Sequence, residues 1–229
     1  MAVAVPPIPR YSLKDLHAVT GIFNSDGQCL SCRGSRSLLG REMNHSTSRL
    51  SLVMVALTVV AVGMRQFPMA LYNLSALGAL AVVAGARVRP LWLALAFPLV
   101  GRLITDGIMQ IQTGSGFYGS MGFDYLAYIL IALLARRMKP VRLEKSLATG
   151  FASACTFFFV SNLGVWLMPI NGQYLYSQTI SGLLDCFTMA IPFARGTFAG
   201  DILLTPVFLA VSQFIVAPIG ETAPHAAAE

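Results

Sequence analysis

Arg102 and Asp106 stand four residues apart inside an otherwise apolar stretch. On a helix that spacing puts both on one face, where they can pair. Other ionisable or amide side chains embedded in, or bordering, apolar stretches include Arg65, Asn73, Asp124, Asn162, Asp185, Arg195 and Asp201, with Trp166 and Tyr174 nearby. A charged group at membrane depth costs about 2.5–3.5 kcal/mol on insertion scales, so such groups usually face a cavity and have partners. Their chemistry is that of binding. Arginines meet anionic or carbonyl groups, carboxylates pair with those arginines or accept from ligand donors, the amides hydrogen-bond, and the two large rings stack.

Catalytic and metal chemistry find less support. His17, His45 and His225 all lie outside the apolar stretches, which argues against bis-histidine haem and against a serine–histidine pair within a membrane. Cys29 and Cys32 have the spacing of two zinc ligands but lack an evident second pair. Asp201 follows Gly200 in Gly196-Thr-Phe-Ala-Gly-Asp201, a partial match to the Gly-x-Gly-Asp motif of intramembrane aspartyl proteases, with Asp106, Asp124 or Asp185 as the second carboxylate. The connection 109–121 is glycine-rich and uncharged; with no lysine following, it is no phosphate loop. It suits a loop folded over a cavity. No catalytic residue, cofactor or metal is assigned.

The elements that must position these residues follow from composition. Of 229 residues, 55% are hydrophobic and 11% charged, and the mean hydropathy is +0.67. Soluble domains carry about 25% charged residues, so this chain cannot cover a water-facing surface. An ordinary soluble enzyme, a disordered chain and a disulfide scaffold are excluded. Residues 1–49 are polar and proline-containing, and read as a poorly ordered tail or a consequence of start-site choice, Met43 being an alternative start. A membrane helix needs roughly 20 mostly apolar residues. The apolar pattern from 50 onward predicts an all-α, polytopic membrane bundle occupying 50–218, followed by a short tail, 219–229. Six spans are expected near 50–65, 68–86, 90–109, 121–136, 147–168 and 198–217. Pro169, Asn171 and Gly172 break the fifth, and Asp185 and Pro192 interrupt 177–194, so a short outer interfacial helix is expected before the last span; a seventh full span there is the alternative.

Positive charge orients the bundle. With the N-terminus inside, thirteen of the sixteen Lys and Arg fall on cytoplasmic segments, and only Arg65, Arg102 and Arg195 do not. That bias places both termini in the cytoplasm. It also accounts for the net charge of +6 without a nucleic-acid partner. The polar residues of the spans then gather on the outer side. Small residues of the second span, from Ser75 to Ala86, suit close helix contact.

Arg65-x-Phe-Pro68, Asn73, Thr105-Asp106, the run Thr156-Phe-Phe-Phe-Val-Ser-Asn162-Leu-Gly-Val-Trp166, Gly182-Leu-Leu-x-Cys186, Ala190-Ile-Pro-Phe193 and Gly200-Asp201 together resemble a family of bacterial integral membrane proteins of unknown function, over roughly 60–217. Asn162, Trp166 and Asp201 resemble its motif positions. The family is similar in layout to the substrate-capture (S) components of energy-coupling-factor transporters. This resemblance implies a multi-pass protein of the bacterial inner membrane that captures a small solute in an outer-facing pocket. It also implies a membrane coupling subunit and an ATPase as partners, since the chain has no nucleotide-binding motif. The alternatives are a structural or assembly protein without solute, and a membrane enzyme using carboxylates.

Overall fold

A computed structural model of the chain describes residues 30–66, 74–138, 142–170 and 172–215, with side chains from Ser48 onward. The chain divides into two compact units, Met1–Ser48 and Arg49–Glu229. Among the described residues the fold is all-helical: α1 (Leu30–Gln66), α2 (Leu77–Arg87), α3 (Leu91–Thr113), α4 (Met121–Arg137), a 3-10 turn (Leu143–Lys145), α5 (Ser146–Leu167) and α6 (Ile180–Phe214). The chain is a membrane helix bundle. Among the described residues, four segments are long and apolar enough to cross a bilayer: Ser48–Gln66, Leu91–Thr113, Leu143–Leu167 and Ile180–Phe214. Its exterior is correspondingly apolar, with Leu52, Val59, Trp92, Leu184, Leu203 and Phe214 all largely exposed, a surface that suits lipid and not water.

The helix α2 forms the centre. Every residue from Leu77 to Gly85 is buried, and α3, α4, α5 and α6 all pack against it. Small residues make this possible. A Cβ on Gly85 would lie 2.1 Å from the Ala132 carbonyl oxygen of α4, and one on Gly200 would lie 2.1 Å from the Ser75 carbonyl oxygen. The apolar core gathers around α2, with Met54, Leu57 and Ala61 from α1 and Tyr128 and Ile131 from α4. Arg136, near the end of α4, donates to the Val88 carbonyl at 3.0 Å and to that of Arg89. This fixes the basic turn after α2 beside the basic end of α4.

Three features differ from the sequence expectation. A helix begins at Leu30, within the segment read as a tail. Of the second expected span, only 77–87 is helical among the described residues, and at 11 residues it is about 16 Å long at 1.5 Å per residue. The short interfacial helix and the last span are one continuous helix of 35 residues, α6. The reasons are local. The Thr179 hydroxyl accepts from the Gly182 N–H at 3.3 Å and so caps the start of α6. Asp185 and Arg195 are exposed on α6, so neither forces a break by burial inside the bundle. Pro192 removes one N–H from a helix that its long apolar flanks continue to stabilise.

Candidate functional site

Arg102 sits in the middle of α3, 1% exposed. Its Nε donates to Asp106 Oδ2 at 2.9 Å, one turn further along the same helix. Its Nη2 donates to Asp124 Oδ2 at 2.9 Å, in the first turn of α4, and to the Tyr118 hydroxyl at 2.7 Å. The Tyr118 hydroxyl donates in turn to Asp124. Tyr125 donates to Asp106 Oδ2 at 3.0 Å. One guanidinium thus holds two carboxylates, and two tyrosines hold the carboxylates in place. Removing one partner of such a buried pair costs about 3–5 kcal/mol, because the other charge is left uncompensated.

The 114–120 connection brings Tyr118 into this network. Gly114 ends α3 in the left-handed conformation (φ 71°), its N–H bonded to the Gln110 carbonyl. The chain then turns back onto α3. The Gln110 side-chain oxygen accepts from the N–H groups of Gly116 at 2.9 Å and Phe117 at 3.3 Å. Gly116 is required because a Cβ there would lie 2.0 Å from the Asp106 carbonyl oxygen. The connection thus folds back onto α3, and Tyr118 and Ser120 from it line the cavity described below. Burial raises the pKa of the Tyr118 hydroxyl, which keeps it protonated as the donor to Asp124.

The network forms one wall of a cavity of about 330 Å³. Arg65, at the end of α1, joins Arg102, Tyr118, Ser120 and Asp124 on that side. The opposite wall comes from α5 and α6, with Phe157, Phe158, Asn162, Cys186, Phe193 and Phe198. Its rings interlock: Phe158 meets Phe187 at 5.7 Å and Phe198 at 6.3 Å between centroids, and Phe157 meets Tyr128 at 5.1 Å. Two polar atoms here are buried with no hydrogen-bond partner among the described residues, Arg65 Nε and Asp106 Oδ1. The cavity runs from the middle of α3, α5 and α6 toward the end of the bundle where α1 finishes and α4 begins, the end away from the Arg136–Val88 contact.

Of the residues singled out from sequence, Arg65, Arg102, Asp124 and Asn162 line this cavity, and Asp106 stands directly behind Arg102. The Asn162 amide nitrogen bonds to the Phe158 carbonyl at 2.7 Å. Five others do not line it. Trp166 donates from Nε1 to the Ser177 carbonyl at 3.0 Å, while Gln178 donates to the Trp166 carbonyl at 2.7 Å; these bonds bind the 168–179 connection back onto α5. Tyr174, Asp185 and Arg195 are exposed and are not among the cavity's lining residues. Asp201 is buried in a separate network: Oδ1 accepts from the Ala79 N–H at 3.1 Å and Oδ2 from the Ser153 hydroxyl at 2.8 Å. It serves the start of α2, and Asp106 and Asp124 share none of its hydrogen bonds. Asn73 lies outside the described residues, as do Cys29 and the side chain of Cys32.

A profile described as a family of unknown function (DUF6580) matches residues 45–222. The chain belongs to this family. No curated protein and no solved structure matches it. The DUF6580 region therefore contains the whole cavity and the Asp201 network.

Sequence reasoning missed the aromatic wall, singling out Trp166 and Tyr174 as the stacking rings. Phe157, Phe158 and Phe198 sit among so many apolar neighbours that residue type does not distinguish a cavity face from a lipid face. Their spacing offered one signal. Phe157 and Phe158 precede Ser161 and Asn162 by four, which puts each aromatic on the face of a polar residue.

Proposed function

We propose that this protein captures a small solute in the cavity between the Arg102 network and the Phe158 wall, and serves as the substrate-binding component of a transporter. One observation carries the reading: a hollow of about 330 Å³ with hydrogen-bonding groups on one side and stacked rings on the other. Ligand sites are concave and mostly apolar, with a few placed polar groups. The basic turn after α2 and the basic end of α4 lie together, away from the Arg102 network. By the positive-inside rule that end faces the cytoplasm and the cavity faces outward, in the bacterial inner membrane. Net uptake would need a membrane coupling subunit and an ATPase, because the sequence supplies no nucleotide-binding motif. The small-residue surface of α2 is consumed inside the bundle, so a coupling partner would dock elsewhere.

A second reading has a specific observation behind it. Arg102 is neutralised by two carboxylates, as in a bundle whose polar cluster serves structure alone. Mass spectrometry of gently purified protein separates the two. Solute capture predicts a small molecule that co-purifies with the wild type and is lost from Ala190→Trp, which fills the cavity without touching the ion pairs. A monodisperse wild type that carries no small molecule, and shifts its melting temperature with none in a broad metabolite screen, would establish the structural reading.

A further inference from the structure

We infer that the solute carries no net charge at neutral pH and presents a hydrogen-bond donor beside an acceptor at one end of a flat apolar body. This rests on the solute-capture reading and adds the substrate class. Four ionisable groups make up the polar side, and their signs cancel: Arg65 and Arg102 against Asp106 and Asp124. Residues 67–73, which follow Arg65, contain no charged side chain to alter that balance. Asp185 and Arg195 carry opposite charges and do not line the cavity. A net ionic ligand would therefore leave one uncompensated charge in a low-dielectric site, at a cost of several kcal/mol.

The charges are not evenly distributed. Arg102 is claimed by both carboxylates through Nε and Nη2, so that triad carries a surplus negative charge. Arg65 balances it from the end of α1, with Nε buried and without a partner among the described residues. The cavity thus offers a donating guanidinium and an accepting carboxylate, Asp124, on the same wall. Both bonds received by Asp124 fall on Oδ2. A zwitterion, or a neutral group such as a carboxamide, satisfies both at once. The opposing rings Phe157, Phe158 and Phe198 suit a planar apolar body.

The test holds the body constant and varies the head. Purified protein in detergent is titrated with L-tryptophan, indole-3-acetamide, indole-3-acetate and tryptamine, followed by native mass spectrometry and thermal shift. We expect the two net-neutral compounds to bind at least tenfold more tightly than the two ions. Arg65→Gln should move the preference toward tryptamine, and Asp124→Asn toward indole-3-acetate. Equal or tighter binding of either ion to the wild type, with an order that neither substitution changes, would overturn the inference while leaving solute capture standing. If none of the four binds, the net charge of the molecule that co-purifies with the wild type decides: a neutral one supports the inference and an ion refutes it. With no co-purifying molecule, both readings fall together.

Discussion

The carboxylate of Asp201, on α6, caps the N-terminus of α2 across 122 residues of sequence, Oδ1 accepting the Ala79 N–H at 3.1 Å. The first N–H groups of any helix lack intrahelical acceptors, and here they are buried, where water cannot serve them. An anion at that end also meets the positive pole of the helix. The residue that sequence placed at the outer pocket is instead the support of the central helix.

Asp201→Ala should therefore lower stability and leave the cavity intact. Each buried donor left without an acceptor costs about 1–3 kcal/mol. A clear fall in melting temperature is expected by fluorescence-detected size exclusion, with Asp201→Asn falling less because its carbonyl still accepts. An Asp201→Ala protein as stable as the wild type would refute the capping role.

The glycines around that cap should be intolerant of a methyl group. A Cβ on Gly78 would stand 1.9 Å from Asp201 Oδ2, and one on Gly150 would stand 2.4 Å from the Asp201 carbonyl oxygen. Overpacking of this kind costs about 1–3 kcal/mol or more. Gly107 and Gly122 have nothing within 4 Å of the corresponding position. Gly150→Ala should lose thermal stability, while Gly107→Ala should be neutral or gain up to about 1 kcal/mol.

Arg102→Met should destabilise more than the triple variant Arg102→Met/Asp106→Asn/Asp124→Asn. The single change strands two carboxylates at a cost of about 3–5 kcal/mol, whereas removing the whole charge set avoids the uncompensated ions. Melting curves of the two proteins in one detergent check this. A triple variant less stable than the single one would show that the ion pairs contribute more than they cost to desolvate.

Ser115 and Glu144 are exposed in the connections at opposite ends of the bundle. In a background with all four native cysteines replaced, Ser115→Cys should react with an impermeant maleimide on spheroplasts. Glu144→Cys should react only after permeabilisation. Labelling of both from one side would overturn the outward orientation of the cavity.

Much of this was legible before any coordinates. The i, i+4 spacing of Arg102 and Asp106 gave the ion pair, and Arg65, Asp124 and Asn162, which the sequence groups with them, line one cavity. What escaped depended on contacts between distant segments. Asp124 and Tyr118 complete the Arg102 network only because Gly114 and Gly116 fold the connection back. Asp201 could not be separated from the pocket residues, since its acceptors' partners on α2 and α5 are a backbone amide and a serine. The Thr179 cap of α6 was not read from the sequence, where Asp185 and Pro192 suggested a break; yet α6 runs on through Asp185, Pro192 and Pro206.

At 35 residues, α6 extends for about 52 Å at 1.5 Å per residue. The hydrocarbon slab it traverses is about 30 Å thick, and roughly 40–45 Å with headgroups. No upright placement fits that length within the lipid: the rod must lean or project beyond the surface. Its middle stretch supplies Phe193 and Phe198, so bilayer thickness and the inclination of this one rod act on the same rings.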